Sequence, residues 1–244
     1  MSIVRLYFLL AAGVLCVVAC GQDRSNSSAP ASPPDTVTAP APDESPQAST
    51  EPGLRVLVLG NSIAAGAGVS STEAFPARLQ RKVDSLDWNV TVQNAGVSGE
   101  TTAGGIRRIG WLLNKQVDVL LLELGGNDGL RGLDLSTTKN NLTGIIDTTL
   151  ATYPDARVLL AGMRIPPNLG EEYTEQFRRI YPAVAEQHTQ VTLLPFILDK
   201  VAGIDSLMQD DGIHPTAAGH RRVAKNVWST LRPMLEQLRT EEPT

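Results

Sequence analysis

The chain is poor in several things that would otherwise widen the choice of function. It has two cysteines, Cys16 and Cys20, both within the first twenty residues. The remainder therefore has no thiol pair for a disulfide and no cysteine cluster for a metal. His188, His214 and His220 are the only histidines, which leaves no place where several could share a metal ion. No basic run stands against the net charge of −5, so the electrostatic footprint of a nucleic-acid binder is missing. The one small basic cluster, Arg221-Arg222 to Lys225, reads as a solvated helix face. No apolar run reaches the ~20 residues of a membrane-spanning helix. Internal repeats are absent as well.

The longest apolar run, Leu6 to Ala19, follows Arg5 and has the length of a secretory signal core. It ends in Val17-Val18-Ala19-Cys20-Gly21, which resembles a bacterial lipobox. That resemblance implies a signal peptide over residues 1–19 and a lipid on Cys20. Residues 21–52 hold seven of the sixteen prolines and no aromatic residue. Such a stretch buries too little apolar surface to offset the entropy of ordering, so 20–52 is expected to be a lipidated, disordered linker. Its reach is up to ~100 Å if polyproline-like, at ~3.1 Å per residue. Residues 53–244 are long enough for one core and short for two.

Within that part, apolar runs alternate with helical spacing. Leu54–Leu59, Asn89–Gln93, Val117–Leu124, Arg157–Ala161 and Val191–Leu194 read as strands. Phe75, Leu79, Val83 and Leu86 mark one helix. Ile106, Ile109 and Leu113 mark a second, weakened at its start by Gly104 and Gly105. Leu142, Ile145, Ile146 and Leu150 mark a third, capped near Ser136. Tyr173, Phe177, Ile180 and Val184 mark a fourth, kinked or ended near Pro182. A last helix runs from about Ala217 to Leu238, just after Pro215. Five strand–helix alternations predict an α/β fold, a five-stranded parallel sheet between helical layers.

In such sheets ligands bind beyond the carboxyl ends of the strands, so the strand exits carry the functional signal. The first, GNSIAAGAG, holds Ser62. The second, NAGVSGET, holds Gly96 and Gly99, where backbone N–H groups can approach a ligand closely. The third, ELGGNDGLRG, holds Asn127, with Asp128 and Arg131 read as shaping the loop. The last, DDGIHPTAAGH, holds Asp211 and His214. Acyl transfer needs a hydroxyl nucleophile, a base to take its proton and a carboxylate to orient the base. Ser62, His214 and Asp211 supply these types. It also needs donors around the oxyanion, which the N–H groups of Ser62 and Gly99 and the Asn127 amide could provide. His188, at a helix end away from the exits, and His220, inside the last helix, are not placed for this chemistry. GxSxG, the α/β-hydrolase elbow, is absent around Ser62.

GNSIAAG, the Gly99 loop, GGND and DGIHP resemble, in order, the four signature blocks of the SGNH or GDSL hydrolase superfamily. ELGGNDGLRG, MRIPPNLG, RRIYP and MQDDGIHP are similar to its periplasmic thioesterase/lysophospholipase/arylesterase branch, from Leu54 to the last helix. The resemblance implies a flavodoxin-like sandwich. It implies Ser62 as nucleophile, His214 as base and Asp211 as orienter, with Ser62, Gly99 and Asn127 as oxyanion donors. No cofactor or metal is called for. One departure is Asn61, where the family usually has Asp; the amide keeps a carbonyl oxygen and loses the charge.

The expected activity is hydrolysis of acyl or aryl esters, with acyl-thioesters and lysophospholipids as further substrates. The Met163–Gly170 and Ile204–Met208 loops are the expected walls of an acyl groove. A carbohydrate or peptidoglycan O-acetylesterase would use the same residues. A non-catalytic envelope binding lipoprotein is the alternative of another class. The expected setting is the periplasm-facing surface of a bacterial envelope, at the outer membrane, as a lipid-anchored monomer.

Overall fold

The structure, a computed structural model, describes residues 53–241. The expected signal peptide, Cys20 and the proline-rich linker lie outside the described residues. Five strands, β1 (Leu54–Gly60), β2 (Val90–Asn94), β3 (Val119–Glu123), β4 (Arg157–Ala161) and β5 (Val191–Leu194), pair in parallel in the order β2-β1-β3-β4-β5. Between and after them come α1 (Ser62–Ala65), α2 (Phe75–Asp84), α3 (Thr102–Leu112), α4 (Gly126–Leu130), α5 (Leu135–Thr152), α6 (Glu171–Ala185) and α7 (Ala217–Glu241). A short 3₁₀ turn, Pro167–Leu169, precedes α6.

Every residue of β3 is buried, as is every residue of β1 except the half-buried Arg55. Both strands are covered on two faces, which explains their lack of polar alternation. Helix α2 packs against α7, while α3 and α6 pack against α5. Leu142, Ile145 and Ile146 of α5 are fully buried, as are Phe177 and Val184 of α6; each such side chain contributes roughly 1.5–3 kcal/mol by leaving water.

The differences from the sequence reading have local causes. Helix α3 runs through Gly104 and Gly105 from Thr102. A Cβ on Gly105 would stand 2.4 Å from Leu124 Cδ1, so the glycine serves close helix–sheet packing. The cap of α5 is Asp134, whose Oδ1 accepts from Thr137 N–H at 2.7 Å; Ser136 instead donates to Asp134. Helix α6 continues through Pro182 to Ala185. Helix α7 accommodates Pro233 and ends at Glu241, three residues beyond the expected boundary. Leu86, read as part of the first predicted helix, lies past the end of α2 and is exposed.

From β1 the chain moves to β2 on one side and returns to β3 on the other. The loops leaving β1 and β3 therefore diverge and leave a notch at the carboxyl edge, where doubly wound sheets bind their ligands.

Candidate active site

Strand β1 ends at Gly60 and turns directly into α1, whose first residue is Ser62. Its N-cap is Asn61, whose Oδ1 accepts from Ile63 N–H at 2.9 Å. The amide thus performs the turn-holding bond for which a carboxylate is not required. Gly66 closes the turn in the left-handed region, φ 78°, a conformation glycine adopts without steric cost.

The stretch before α7 brings His214 to this turn. His214 Nε2 lies 2.8 Å from Ser62 Oγ, although 152 positions separate them in sequence. Its Nδ1 lies 2.6 Å from Asp211 Oδ2. Asp211 Oδ1 accepts the backbone N–H groups of Ile213 and His214 at 2.8 and 2.9 Å. The side-chain bond to His214, aided by the backbone N–H bonds, holds the Asp211 carboxyl down at about 2, so it is a carboxylate throughout the neutral range. Nδ1–H donating to Asp211 leaves Nε2 to accept from the serine hydroxyl, the tautomer a general base requires. Gln209 fastens the loop: its Nε2 donates to Ala67 O at 2.8 Å and to Pro215 O at 2.9 Å, and its backbone N–H donates to His214 O.

Loop 95–101 and helix α4 complete the surroundings. Asn127 Nδ2 donates to Glu100 O at 2.9 Å, which uses one of its two hydrogens. Asp128, buried, accepts from Thr102 N–H at 2.9 Å and Thr102 Oγ1 at 2.5 Å. Arg131 donates to Gly99 O at 3.0 Å. Asp128 and Arg131 therefore shape the loop, as their positions predicted. In the turn from Asn61 to Ala67, every backbone N–H except that of Ser62 has a protein acceptor. Gly99 N–H has none either. Three donors named from the sequence thus retain a hydrogen free for a ligand.

Beside Ser62 opens a cavity of about 560 Å³, lined by Ile63, Leu130, Met163, Ile165, Phe196, Ile197, Leu198, Met208 and Ile213 among others. This is the size of a small-molecule site. Of the two loops expected to wall it, Met163 to Pro166 and Met208 take part; Ile204 does not, and its neighbours Ala202 and Gly203 do. Arg164 lies with its guanidinium 4.7 Å from the Phe196 ring centre. Phe196 to Leu198 gave no signal in the sequence beyond an apolar stretch after β5.

The other histidines stand apart. His188 lies 2.9 Å from Asp147 on α5. His220 is wholly buried in α7, its Nδ1 accepting Phe75 N–H at 3.3 Å. Burial pushes its imidazole down to about 4, which makes it a neutral structural acceptor. Among the described residues no group of three or more His, Cys, Asp or Glu side chains could hold a metal. One residue at the site was not singled out from the sequence: Glu123, the fully buried last residue of β3. A carboxyl inside the otherwise apolar run VLLLEL was the signal that could have found it.

Residues 58–222 match the model of the GDSL-like Lipase/Acylhydrolase family. The chain is 42% identical over 181 residues to Esterase TesA of Pseudomonas aeruginosa, covering 74% of this chain and 89% of that protein. It is 39% identical over 181 residues to Thioesterase 1/protease 1/lysophospholipase L1 of Escherichia coli K12, covering 74% and 84%. A crystal structure of TesA matches with a TM-score of 0.70 at 41% identity, covering 74% of this chain and 99% of that one.

Proposed function

This chain belongs to the GDSL-like lipase/acylhydrolase family, and we propose that it is a serine esterase acting on acyl or aryl esters through an acyl-enzyme. The observation that carries the reading is the chain of contacts Ser62 Oγ–His214 Nε2 and His214 Nδ1–Asp211 Oδ2, set among three donors without a full complement of protein acceptors. Ser62 Oγ attacks the carbonyl carbon as its proton passes to His214 Nε2. The carbonyl oxygen takes on negative charge and meets the N–H groups of Ser62 and Gly99 and the free hydrogen of the Asn127 amide. His214 then protonates the departing alkoxide. Water, deprotonated by the same nitrogen, attacks the acyl ester and releases the acid and Ser62.

The apolar cavity supports acyl groups of several carbons over acetyl, since each buried methylene contributes ~0.8 kcal/mol. By likeness to the named relatives, acyl-thioesters and lysophospholipids extend the substrate range. The lipobox-like Val17 to Gly21 supports cleavage before Cys20 and lipidation there, which would present the domain to the periplasm from a bacterial, outer-membrane anchor. Ser62→Ala should abolish turnover of p-nitrophenyl esters while circular dichroism stays unchanged, and wild-type kcat/KM should rise with chain length from acetate to octanoate. A folded Ser62→Ala variant that keeps its turnover would overturn the mechanism. A wild type that prefers acetylated glycan would indicate the O-acetylesterase reading.

A further inference from the structure

Glu123 lies directly beneath the serine turn, and nothing in the acyl-transfer chemistry uses it. It is the register partner of Gly60 in the β1–β3 ladder, so its side chain rises on the face where β1 turns into α1. Its Oε2 accepts two backbone N–H groups, Asn61 at 3.0 Å and Ala64 at 3.1 Å. Its own carbonyl accepts Asn61 N–H as well, at 3.2 Å. The other oxygen, Oε1, is buried without a hydrogen-bond partner. Gly60 makes room for both the carboxyl and α1, because a Cβ there would stand 2.5 Å from Oε2 and 2.5 Å from Ala64 Cβ.

A carboxyl so completely withdrawn from water is costly to bury, and the sheet offers no other reason for it. Its effect on the turn is specific. A short helix leaves its first N–H groups without intrahelical partners. Here Asn61 Oδ1 takes the N–H of Ile63 and Glu123 Oε2 takes those of Asn61 and Ala64. The N–H left over is that of Ser62, the one needed at the oxyanion.

We propose that Glu123 is a positioning residue for the nucleophile: its carboxyl oxygen clamps the amides on either side of Ser62, setting the Oγ–His214 contact and reserving the Ser62 N–H for substrate. The proposal rests on Ser62 being the nucleophile. The group acts as an acceptor, not as an acid or base, so an amide oxygen serves in its place and an apolar side chain does not.

The test compares Glu123→Gln, Glu123→Met and Gly60→Ala with wild type on p-nitrophenyl butyrate, with Ser62→Ala alongside and circular dichroism as the check of folding. Glu123→Gln retains an acceptor and should keep kcat within about threefold. Glu123→Met, of similar length without an acceptor, should lower kcat at least thirtyfold with KM changed less than threefold, because the acyl cavity is untouched. Gly60→Ala pushes a methyl group against both Oε2 and the Cβ of Ala64, whose N–H the carboxyl holds, and should give the same split between kcat and KM, a second readout if Glu123→Met does not fold. A folded Glu123→Met or Gly60→Ala variant with wild-type kcat, or a Gln variant as impaired as Met, would overturn the clamp. Activity retained by Ser62→Ala would instead overturn the nucleophile assignment beneath it.

Discussion

Replacing Glu123 with glutamine should change the pH dependence of stability in a way that can be worked out beforehand. Burial pushes the Glu123 carboxyl up to about 8 from an ordinary 4.5, against the opposing bonds from Asn61 and Ala64. The folded state therefore holds this proton while the unfolded chain releases it. Below pH 4.5 both states are protonated and the raised pKa of the folded state costs no stability. As pH rises from 4.5 towards 8 the unfolded chain ionises first, and stability falls by ~1.36 kcal/mol per pH unit. Across the whole interval the loss is on the order of 5 kcal/mol, a sizeable share of the ~5–15 kcal/mol typical of a domain. Glutamine does not titrate. Its Nε2 would occupy the site of the unpartnered Oε1, at a cost of about 1–3 kcal/mol that is constant with pH. The variant should be the less stable protein at pH 4.5 and the more stable one at pH 8. Urea unfolding of both proteins at pH 4.5, 6 and 8 measures the difference, and the titrations common to both cancel. A difference that stays flat across the series would show that Glu123 is ionised in the folded protein and would refute the reasoning.

Three further substitutions probe other parts of the site. Asn127→Ala removes one of the proposed oxyanion donors and should lower kcat by about 10²–10³, as at other such sites; stopped-flow acylation that proceeds at the wild-type rate would remove Asn127 from that role. Gln209→Ala cuts two bonds, to Ala67 O and Pro215 O, and should cost about 1–3 kcal/mol in urea unfolding. Because the same bonds register His214 against the serine turn, kcat should also fall, by about tenfold; lost stability with unchanged kcat would confine Gln209 to the fold. Asn61→Asp keeps the oxygen that accepts Ile63 N–H and should leave kcat within about threefold of wild type, since that neutral bond contributes only ~0.5–1.5 kcal/mol; a larger change in steady-state kcat would show that the missing charge matters.

The strands were legible because β1 and β3 are buried on both faces and read as unbroken aliphatic runs. Their ends were legible because glycine, asparagine and serine follow at once. Ser62, Asn127 and His214 were singled out by asking which side chains the carboxyl edge receives, a rule of topology that precedes any knowledge of side-chain contacts. The cap of α5 was misplaced because Asp134 and Ser136 are both good capping residues, and only the backbone decides which one faces the first turn. Pro182 reads as a breaker in sequence, yet tertiary packing of Phe177, Ile180, Tyr181 and Val184 holds α6 together through it. Phe196, Leu198 and Ile213 reach the cavity from loops whose course no periodicity specifies. Glu123 was passed over because the apolar pattern around it marks a strand, and a pattern does not say which oxygen meets which amide.

The divergence of the chain on either side of β1 has an evolutionary consequence. The nucleophile and the groups facing the oxyanion sit on the exits of β1, β2 and β3, whereas the lining that meets an acyl chain is drawn mostly from residues 163–166 after β4 and 196–208 after β5. Mutations at 163–166 and 196–203, well before Asp211 and His214 in the chain, can reshape what enters the cleft without disturbing the reacting atoms. A scaffold so divided lets selection change diet while leaving the machinery intact.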